Sequence, residues 1–338
     1  MPIRNLGEAS MSSVNLVIGA VALIASAMLS SATLAQGGTQ DAQAWPIKPV
    51  RIIVNYPPAG STDNATRPYA ERLSKALGQQ FVIENRGGAS GAVGVEAGVK
   101  SAPDGYTFFA TPVATLAILP HARPSSYDPF KDMMPVSQFA DSTLVVAVHP
   151  SVPANSVAEL VAHAKANPGK LVFASSGLGT MTQMIYENLR LSGGIDMLHV
   201  PYRGGAESLV DFLSGVAQVF SEGNVLPHVQ AGKAKLLAVV DSERHPDFPS
   251  VPMLSEVYPE ADLINWFALF APVGTSQAVI QKLAGAMNTI AKQPDIHAHL
   301  LKLALRPRAG TPEQLAALLR KDYDRYGKLI RDLKIRVD

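Results

Sequence analysis

The sequence predicts an α/β fold, because strand-like and helix-like segments alternate along the chain, short turns separate them, and hydrophobic residues make up 47% of the composition, as in a soluble globular protein. Runs of β-branched residues predict the strands, and apolar residues three or four positions apart predict the helices. Since helices separate most strands, we expect mostly parallel sheets with a ligand at the carboxyl ends of the strands. The predicted strands cover residues 51–56, 81–84, 106–110, 144–148, 171–174, 198–202, 235–240 and 265–271, and the predicted helices cover 65–77, 157–166, 181–191, 277–291 and 315–330.

The order of these elements predicts two lobes. A proline-rich passage over residues 245–259 shows no periodicity and is expected to be the return crossing between them. We place residues 45–141 and 263–338 in a discontinuous first lobe and residues 142–262 in an inserted second lobe. The two C-terminal helices are expected to cover the first lobe.

The N-terminal segment is predicted to be a signal peptide. Residues 16–29 form an apolar run too short to span a bilayer, which needs roughly 20 residues, and Thr33-Leu34-Ala35 offers the small residues of a cleavage site. We therefore expect residues 1–35 to be removed near Ala35 and the protein to be periplasmic. A start at Met11, a buried N-terminal helix and a membrane anchor are the alternatives.

Charge and composition exclude several functions. With 29 basic and 28 acidic residues, the chain has no field that would recruit nucleic acid. Zero cysteines exclude disulfides and thiolate sites, and the histidines are scattered without partners, so we expect no metal. The glycines of residues 88–94 do not form the dinucleotide fingerprint, and no Gly-x-Ser-x-Gly elbow occurs. We expect no cofactor and no enzymatic activity.

Two strand-to-helix turns are the most informative features. In the first, the apolar strand breaks at Pro57-Pro58-Ala59-Gly60 and a helix pattern follows; in the second, Ser175 to Thr180 precede the helix at 181–191. Free N–H groups converge at a helix N-terminus, where the helix dipole is positive, so such a turn holds an anion without a cationic side chain. The two turns predict two lobes that face one carboxylate or phosphate.

Several short motifs follow one another in a fixed order over nearly the whole chain after residue 45. They include Tyr56-Pro-Pro-Ala-Gly-Ser-Thr-Asp63, Pro103-Asp-Gly-Tyr-Thr107, Ser175-Ser-Gly-Leu-Gly-Thr180 and His199-Val-Pro-Tyr-Arg-Gly204. In this order they resemble the Bug-type receptors, the periplasmic substrate-binding proteins of tripartite tricarboxylate transporters. The resemblance implies a two-lobed, type II periplasmic-binding-protein-like fold that closes on a small carboxylate and presents it to membrane permease subunits. We expect a monomer.

The resemblance also implies ligand-binding residues in the first turn. In the family, main-chain groups and ordered water hold the ligand carboxylate there, and the corresponding positions are Ala59, Gly60, Ser61 and Asp63. Ala59 stands where a glycine is common in the family. Asp63 has an alternative interpretation as a simple helix cap.

The second turn and the strand ends supply the other candidate ligand-binding residues. The turn offers hydroxyls and N–H groups, although an ordinary capped turn would look similar. A glutamine at 183 stands where a histidine is common and loses any pH-dependent charge. Arg203 has an alternative role as a surface arginine, and the register of residues 221–224 is undefined. The candidates are Ser175, Ser176, Gly177, Gly179, Thr180, Gln183, Tyr202, Arg203 and Gly204, with Thr111 and Pro112 after the third strand.

The predicted function is therefore capture of a small organic acid, amino acid or aromatic acid for a tripartite permease. A receptor that feeds a sensor system is an alternative, and an enzyme acting on small acids is a weaker one, because no triad, metal set or cofactor loop is visible.

Overall fold

The structure is a computed structural model that describes residues 44–241, 243–261 and 263–333. From Lys48 onward the chain forms one compact unit that contains two β-sheets. The predicted signal peptide, its cleavage site near Ala35 and the alternative start at Met11 lie outside the described residues. Within the described ranges, no helix is long and apolar enough to cross a membrane.

Strands and helices alternate as the sequence predicts. The strands are β1 Val50–Val54, β2 Phe81–Asn85, β3 Thr107–Pro112, β4 Met133–Ser142, β5 Leu144–Val148, β6 Val172–Ser175, β7 Leu198–Pro201, β8 Val219–Glu222, β9 Lys235–Val240, β10 Asn265–Pro272 and β11 Leu305–Pro307. The helices are α1 Ser61–Leu77, α2 Ala92–Val99, α3 Val113–Ala117, α4 Leu119–Ala122, α5 Val157–Ala166, α6 Met181–Gly193, α7 Gly205–Leu213, α8 Leu226–Gln230, α9 Leu254–Val257, α10 Gln277–Ala291, α11 Pro294–Leu301 and α12 Pro312–Leu333.

Both sheets are mixed. The six-stranded sheet has the order β11-β4-β10-β3-β1-β2, and the five-stranded sheet has the order β7-β6-β8-β5-β9. Strand β1 runs parallel to β2 and β3, whereas β10 runs antiparallel to β3 and β4. In the smaller sheet, β6 is parallel to β7 and β8, and β5 is antiparallel to β8 and β9. The α/β class is confirmed, but the expectation of mostly parallel sheets is wrong, because the strands that join the two sheets run against their neighbours.

The strands of the six-stranded sheet come from residues 50–142 and 265–307, and those of the five-stranded sheet come from residues 144–240. The predicted division into lobes at residues 45–141 plus 263–338 and 142–262 stays a prediction. Helices α10 and α12 pack on β4, and Trp266 of β10 donates a hydrogen bond from Nε1 to Asp322 Oδ2 of α12 at 2.7 Å. The C-terminal helices therefore cover the six-stranded sheet, as expected from the sequence.

Helix ends follow the sequence signals. Gly78 closes α1 in the left-handed conformation, with φ 72, and its N–H donates to the carbonyl of Ser74, as a glycine after a helix does. The side chain of Thr180 caps α6 by accepting from the Gln183 N–H. These caps fix where each helix begins or ends beside the turns that precede it.

The chain passes from one sheet to the other through a very short connection between β4 and β5. A single residue, Thr143, separates β4 from β5. Its N–H donates to the carbonyl of Ala304 at 2.9 Å, and its hydroxyl donates to Asp241 Oδ2 at 2.6 Å. Arg306 Nε donates to the same oxygen at 3.0 Å. Three chain segments that are distant in sequence are thus tied together where the chain passes from one sheet to the other.

Candidate functional site

A cavity of about 190 Å³ lies between elements of the two sheets. The six-stranded sheet contributes the first turn, residues 56–63, and the ends of β3 and β10. The five-stranded sheet contributes the second turn, residues 175–180, together with the start of α7 and the end of β8. Residues lining the cavity include Tyr56, Pro57, Pro58, Gly60, Ser61, Thr62, Pro112, Ala114, Leu144, Ser176, Thr180, Met181, Thr182, Arg203, Gly204, Gly205, Ala206, Glu207, Glu222, Asn265 and Phe267.

A wider cavity of about 690 Å³ adjoins the first. The two share Tyr56, Pro57, Pro58, Ser176 and Arg203 in their walls. The wider cavity adds the glycine-rich segment of residues 87–91, Arg123, Gly177 and Tyr202. The two cavities form one cleft, and we call the first the inner cavity and the second the wider cavity. Arg203 belongs to both, Glu207 and Glu222 to the inner cavity, and Arg123 to the wider one.

The first turn is held in shape by Asp63. Its carboxylate accepts from the Ala59 N–H at 2.9 Å, from Arg67 Nε at 2.7 Å and from Asn85 Nδ2 at 2.8 Å. Burial by itself raises the pKa of Asp63, but the hydrogen bonds from Arg67, Asn85 and Ala59 outweigh it and leave the pKa below its usual value. Asp63 therefore closes the turn, in keeping with its interpretation as a cap, and it does not line either cavity.

Ala59 adopts φ 64, a conformation that favours glycine and costs other residues about 1 kcal/mol. This is the position where the family commonly has glycine. Its N–H is occupied by Asp63, and the residue is exposed outside the cavity. Gly60 and Ser61 do line the cavity. Gly60 is the N-cap of α1, so the N–H groups of the first helical turn have no intrahelical acceptor and lie beside the cavity wall.

The second turn uses most of its donors internally. The Ser176 N–H donates to Thr182 Oγ1 at 2.9 Å, and the Gly179 N–H donates to Gln183 Oε1 at 2.6 Å. The Gly177 N–H donates to Ser175 Oγ at 3.3 Å. Gln183 and Ser175 are buried and do not line the cavities. Ser176 and Thr180 are the members of the turn that face the inner cavity.

Some of the remaining candidate residues line the cavities, and others are buried away from them. Thr111 is fully buried and accepts from Asn55 Nδ2 at 2.8 Å, whereas the neighbouring Pro112 lines the cavity. Tyr202 lines the wider cavity and donates its hydroxyl to Asp211 Oδ2 at 2.6 Å. Arg203 lines both cavities. The role of all these residues in ligand binding stays a prediction.

Glu222 lines the cavity and lies in residues 221–224, the stretch whose register the sequence leaves undefined, but it is not among the candidate ligand-binding residues. It ends β8, which defines the register of residues 221–224, and it is 7% exposed. Its Oε2 accepts from Ser61 Oγ of the first turn at 2.9 Å. Burial raises the pKa of Glu222, although the hydroxyls of Ser176 and Ser61 act in the opposite direction. No ion pair of the described residues includes Glu222.

The apolar side chains of the cavity were also missed. They come from elements on both sides: Leu144 of β5, Met181 of α6, Ala114 of α3 and Phe267 of β10. In the sequence these residues belong to ordinary apolar runs, so nothing in the pattern separates a cavity wall from the core. For Tyr56 the sequence does contain a signal, because this residue ends the predicted first strand and ligands lie at strand ends. Its hydroxyl donates to the carbonyl of Ser90 at 3.1 Å, and burial raises its pKa to about 12.

The described residues contain no group of three or more histidine, aspartate or glutamate side chains that would hold a metal ion. The chemistry that the cleft offers is hydrogen bonding from hydroxyl and main-chain groups, apolar contact, and a few charged side chains at defined places.

Comparison with known proteins identifies the family. Residues 65–335 match the model of the tripartite tricarboxylate transporter family receptor, TctC. Protein BugT of Bordetella pertussis is 34% identical over 296 residues, which cover 86% of this chain and 91% of BugT. The periplasmic binding protein BugD is 26% identical with a TM-score of 0.81, covering 86% of this chain and 99% of BugD. A Rhodopseudomonas palustris protein solved with adipate is 28% identical with a TM-score of 0.81, covering 86% of this chain and 99% of that one.

These matches span most of the described chain and agree with the resemblance seen in the short motifs. They also agree with the α/β architecture of two mixed sheets. The chain belongs to the receptor family of the tripartite tricarboxylate transporters, which are solute-binding proteins.

Proposed function

We propose that this protein is a periplasmic receptor that binds a small carboxylate in the cleft between its two sheets and delivers it to the permease subunits of a tripartite tricarboxylate transporter. The observation that carries the proposal is the cavity whose wall combines the N-terminus of α1 with the second turn. The neighbour of known structure with bound adipate supports a carboxylate as the ligand class.

The first turn is the proposed carboxylate site. The N–H groups of Ser61 and Thr62 belong to the first turn of α1, where intrahelical acceptors are lacking and the helix dipole favours negative charge. Gly60 leaves the approach to these groups open. Water that bridges the ligand to Ser176 and Thr180 would complete the hydrogen bonding at little cost.

The carbon skeleton of the ligand would contact the apolar wall formed by Pro112, Met181 and Phe267. A wall of this kind accepts many skeletons, because apolar contact depends on shape more than on specific groups. Arg203, at the boundary of the two cavities, is placed to pair with a second anionic group.

Binding would shift an equilibrium between open and closed arrangements of the predicted lobes, because donors from both sheets reach one ligand only when the cleft is closed. The ligand would then leave unchanged, so we propose a binding protein without catalytic activity, acting as a monomer without metal or cofactor.

The test is a thermal-shift screen of the full gene product, expressed with its own leader and purified from the periplasmic fraction of the host, against organic acids, amino acids and aromatic acids. A ligand at 100 times its Kd adds about 2.7 kcal/mol to the free energy of unfolding, so a binder raises Tm by several degrees. Chromatography of the same samples should recover the ligand unchanged.

Two results would refute the proposal: no carboxylate of the panel raises Tm, or a bound compound is converted to product. Absence of the protein from the periplasmic fraction would contradict its proposed location.

A further inference from the structure

Glu222 is an unusual side chain for a cavity that is proposed to hold a carboxylate. It is 7% exposed, and its carboxyl group lies in the inner cavity beside the first turn, where Ser61 Oγ donates to it at 2.9 Å. Two carboxylates at one site repel each other unless a proton or a cation lies between them. A purely anionic ligand would therefore need Glu222 to be protonated, whereas a ligand with a cationic group could bind beside the charged form of Glu222.

The surrounding residues are arranged around this carboxyl group. Gly205, the first residue of α7, packs against it so closely that a Cβ at Gly205 would lie 2.6 Å from Glu222 Cδ. The missing side chain at Gly205 is what makes room for the glutamate. The N-terminus of α7, with its positive dipole, lies next to the carboxyl group, which favours its charged form.

None of the ion pairs found among residues 44–241, 243–261 and 263–333 includes Glu222. Among the described residues that line the inner cavity, Arg203 and Glu207 are the other charged ones, and both are exposed. Burial raises the pKa of Glu222, and the hydroxyls of Ser61 and Ser176 oppose this shift without reversing it. An ammonium group beside Glu222 would favour the charged form of its carboxyl group. Hydroxyl donors are weaker partners for a buried carboxylate than an ammonium group would be.

The charged side chains are distributed unequally between the two cavities. Glu222 lines only the inner cavity, Arg123 lines only the wider cavity, and Arg203 lines both. Tyr56 lines both cavities. The charge of Glu222 raises the pKa of the Tyr56 hydroxyl, and the charge of Arg123 lowers it. A molecule that spans both cavities thus meets the carboxyl group of Glu222 in the inner cavity, Arg203 where the two cavities meet and Arg123 in the wider cavity.

We propose that the ligand carries a protonated amine as well as a carboxylate, and that Glu222 binds the amine. Glu222 is then the specificity-determining residue that separates amino-carboxylates from plain dicarboxylates such as the adipate of the related structure. This inference rests on the proposed function, since it assumes that the cleft binds a carboxylate.

The test compares matched pairs of compounds that differ in one amine: aspartate with succinate, and glutamate with glutarate. Affinities are measured by isothermal titration calorimetry on the full gene product, purified as the host processes it. At pH 7 we expect at least one amino-carboxylate to bind at least tenfold more tightly than its partner without the amine.

The variant Glu222→Gln keeps the size of the side chain and an oxygen that accepts from Ser61, but it removes the charge. We expect it to lose the preference for the amine and to bind the dicarboxylate of the same pair at least as tightly as the amino acid. Glu96→Gln is the matched control, because Glu96 pairs with Lys100 on the surface of α2, away from the cleft. It should leave the affinity ratio of the wild type unchanged.

The outcomes separate the two proposals. If dicarboxylates bind as tightly as their amino partners in the wild type, or if Glu222→Gln keeps the preference, the inference about Glu222 is refuted and the receptor proposal stands. If no carboxylate of either kind binds, both proposals fail. The wild-type comparison decides the question even if Glu222→Gln does not fold.

Discussion

The two turns that face the cleft have the same geometry but different chemistry. In the first, Asp63 occupies the third position of α1 and accepts from the N–H of Ala59. In the second, Gln183 occupies the third position of α6 and accepts from the N–H of Gly179. The residues that donate have φ values of 64 for Ala59 and 70 for Gly179. Each turn is thus closed by a side chain that reaches back four residues.

The difference lies in charge and in what remains for a ligand. The first turn is closed by a carboxylate that is itself held by Arg67 and Asn85, and it leaves Gly60 and Ser61 beside the cavity. The second turn is closed by a neutral amide and uses the N–H groups of Ser176, Gly177 and Gly179 internally. A glycine-rich turn before a helix therefore identifies a capped turn, and only the contacts around it decide whether donors remain for an anion.

The largest effect is expected for Gly60→Leu, which fills the space beside the first turn. Gly60 has φ −74, so a side chain is compatible with its backbone, although its Cβ would lie 3.3 Å from the Pro57 carbonyl oxygen. We expect at least a 100-fold loss of affinity, or about 2.7 kcal/mol, with a small change in Tm. Calorimetric titration with the best ligand of the screen measures it.

Gly285→Leu is the control for this substitution, because Gly285 lies in α10 and a Cβ added there would meet no neighbouring side chain within 4 Å. It should bind like the wild type. Unchanged affinity in Gly60→Leu would show that the ligand does not use the first turn.

A smaller effect, on stability, is expected for Asp63→Asn. The amide places donors against Arg67 and Asn85 and removes the charge, which should cost about 2 kcal/mol of unfolding free energy at pH 7. Because the folded pKa of Asp63 is below the unfolded value of 3.8, its contribution is present above that value and is lost as the pH falls through the folded pKa. Urea unfolding at pH 7 and pH 3 measures the difference between variant and wild type.

The difference should be smaller at pH 3 than at pH 7. Glu96→Gln, at an exposed pair, should leave the free energy of unfolding nearly unchanged. An equal cost for both substitutions would mean that the carboxylate of Asp63 does not hold the first turn.

The last effect is confined to acidic pH and is expected at His199, which supports the second turn. Its Nε2 lies 2.7 Å from Ser175 Oγ, its ring stacks on Tyr186, and burial lowers its pKa to about 4. The unfolded value is 6.5, so this residue stabilises the fold above that pH, and the contribution is lost as the pH falls toward 4. Between these values, Tm of the wild type should fall a few degrees more than Tm of His199→Gln.

His297→Gln, at an exposed position of α11, should follow the wild type across the same range. If His199→Gln also follows the wild type, the neutral form of His199 does not contribute to stability.

The sequence predicts the fold where local signals are strong. Helices α1, α5, α6 and α10 have clear periodicity, and caps such as Gly78 mark their ends. Strand β4 was missed, because Pro135 and its polar residues interrupt the apolar pattern, yet β4 lies between β10 and β11 in the sheet. Helix α7 was missed as well, since glycines at its start resemble a turn.

The site is predicted less completely than the fold. The turns and Pro112 follow from the rule that ligands lie at strand ends. The same rule points to residues 221–224, but it does not predict the contact between Glu222 and Ser61, because that contact joins residues 161 positions apart and depends on how the two sheets pack. Gly205 is the one local feature of the sequence that relates to this contact, because its lack of a side chain makes room for the carboxyl group of Glu222. The glycine can be interpreted in this way only when the contact is already known.

The single-residue connection at Thr143 has a mechanical consequence. The hydroxyl of Thr143 donates to Asp241, which also accepts from Arg306. The connection between the sheets at this point is therefore short and held in place by hydrogen bonds. If one sheet rotates relative to the other, the torsion angles of very few bonds at this connection must change, so the direction of the rotation is restricted. A longer linker at this point would make that direction less defined.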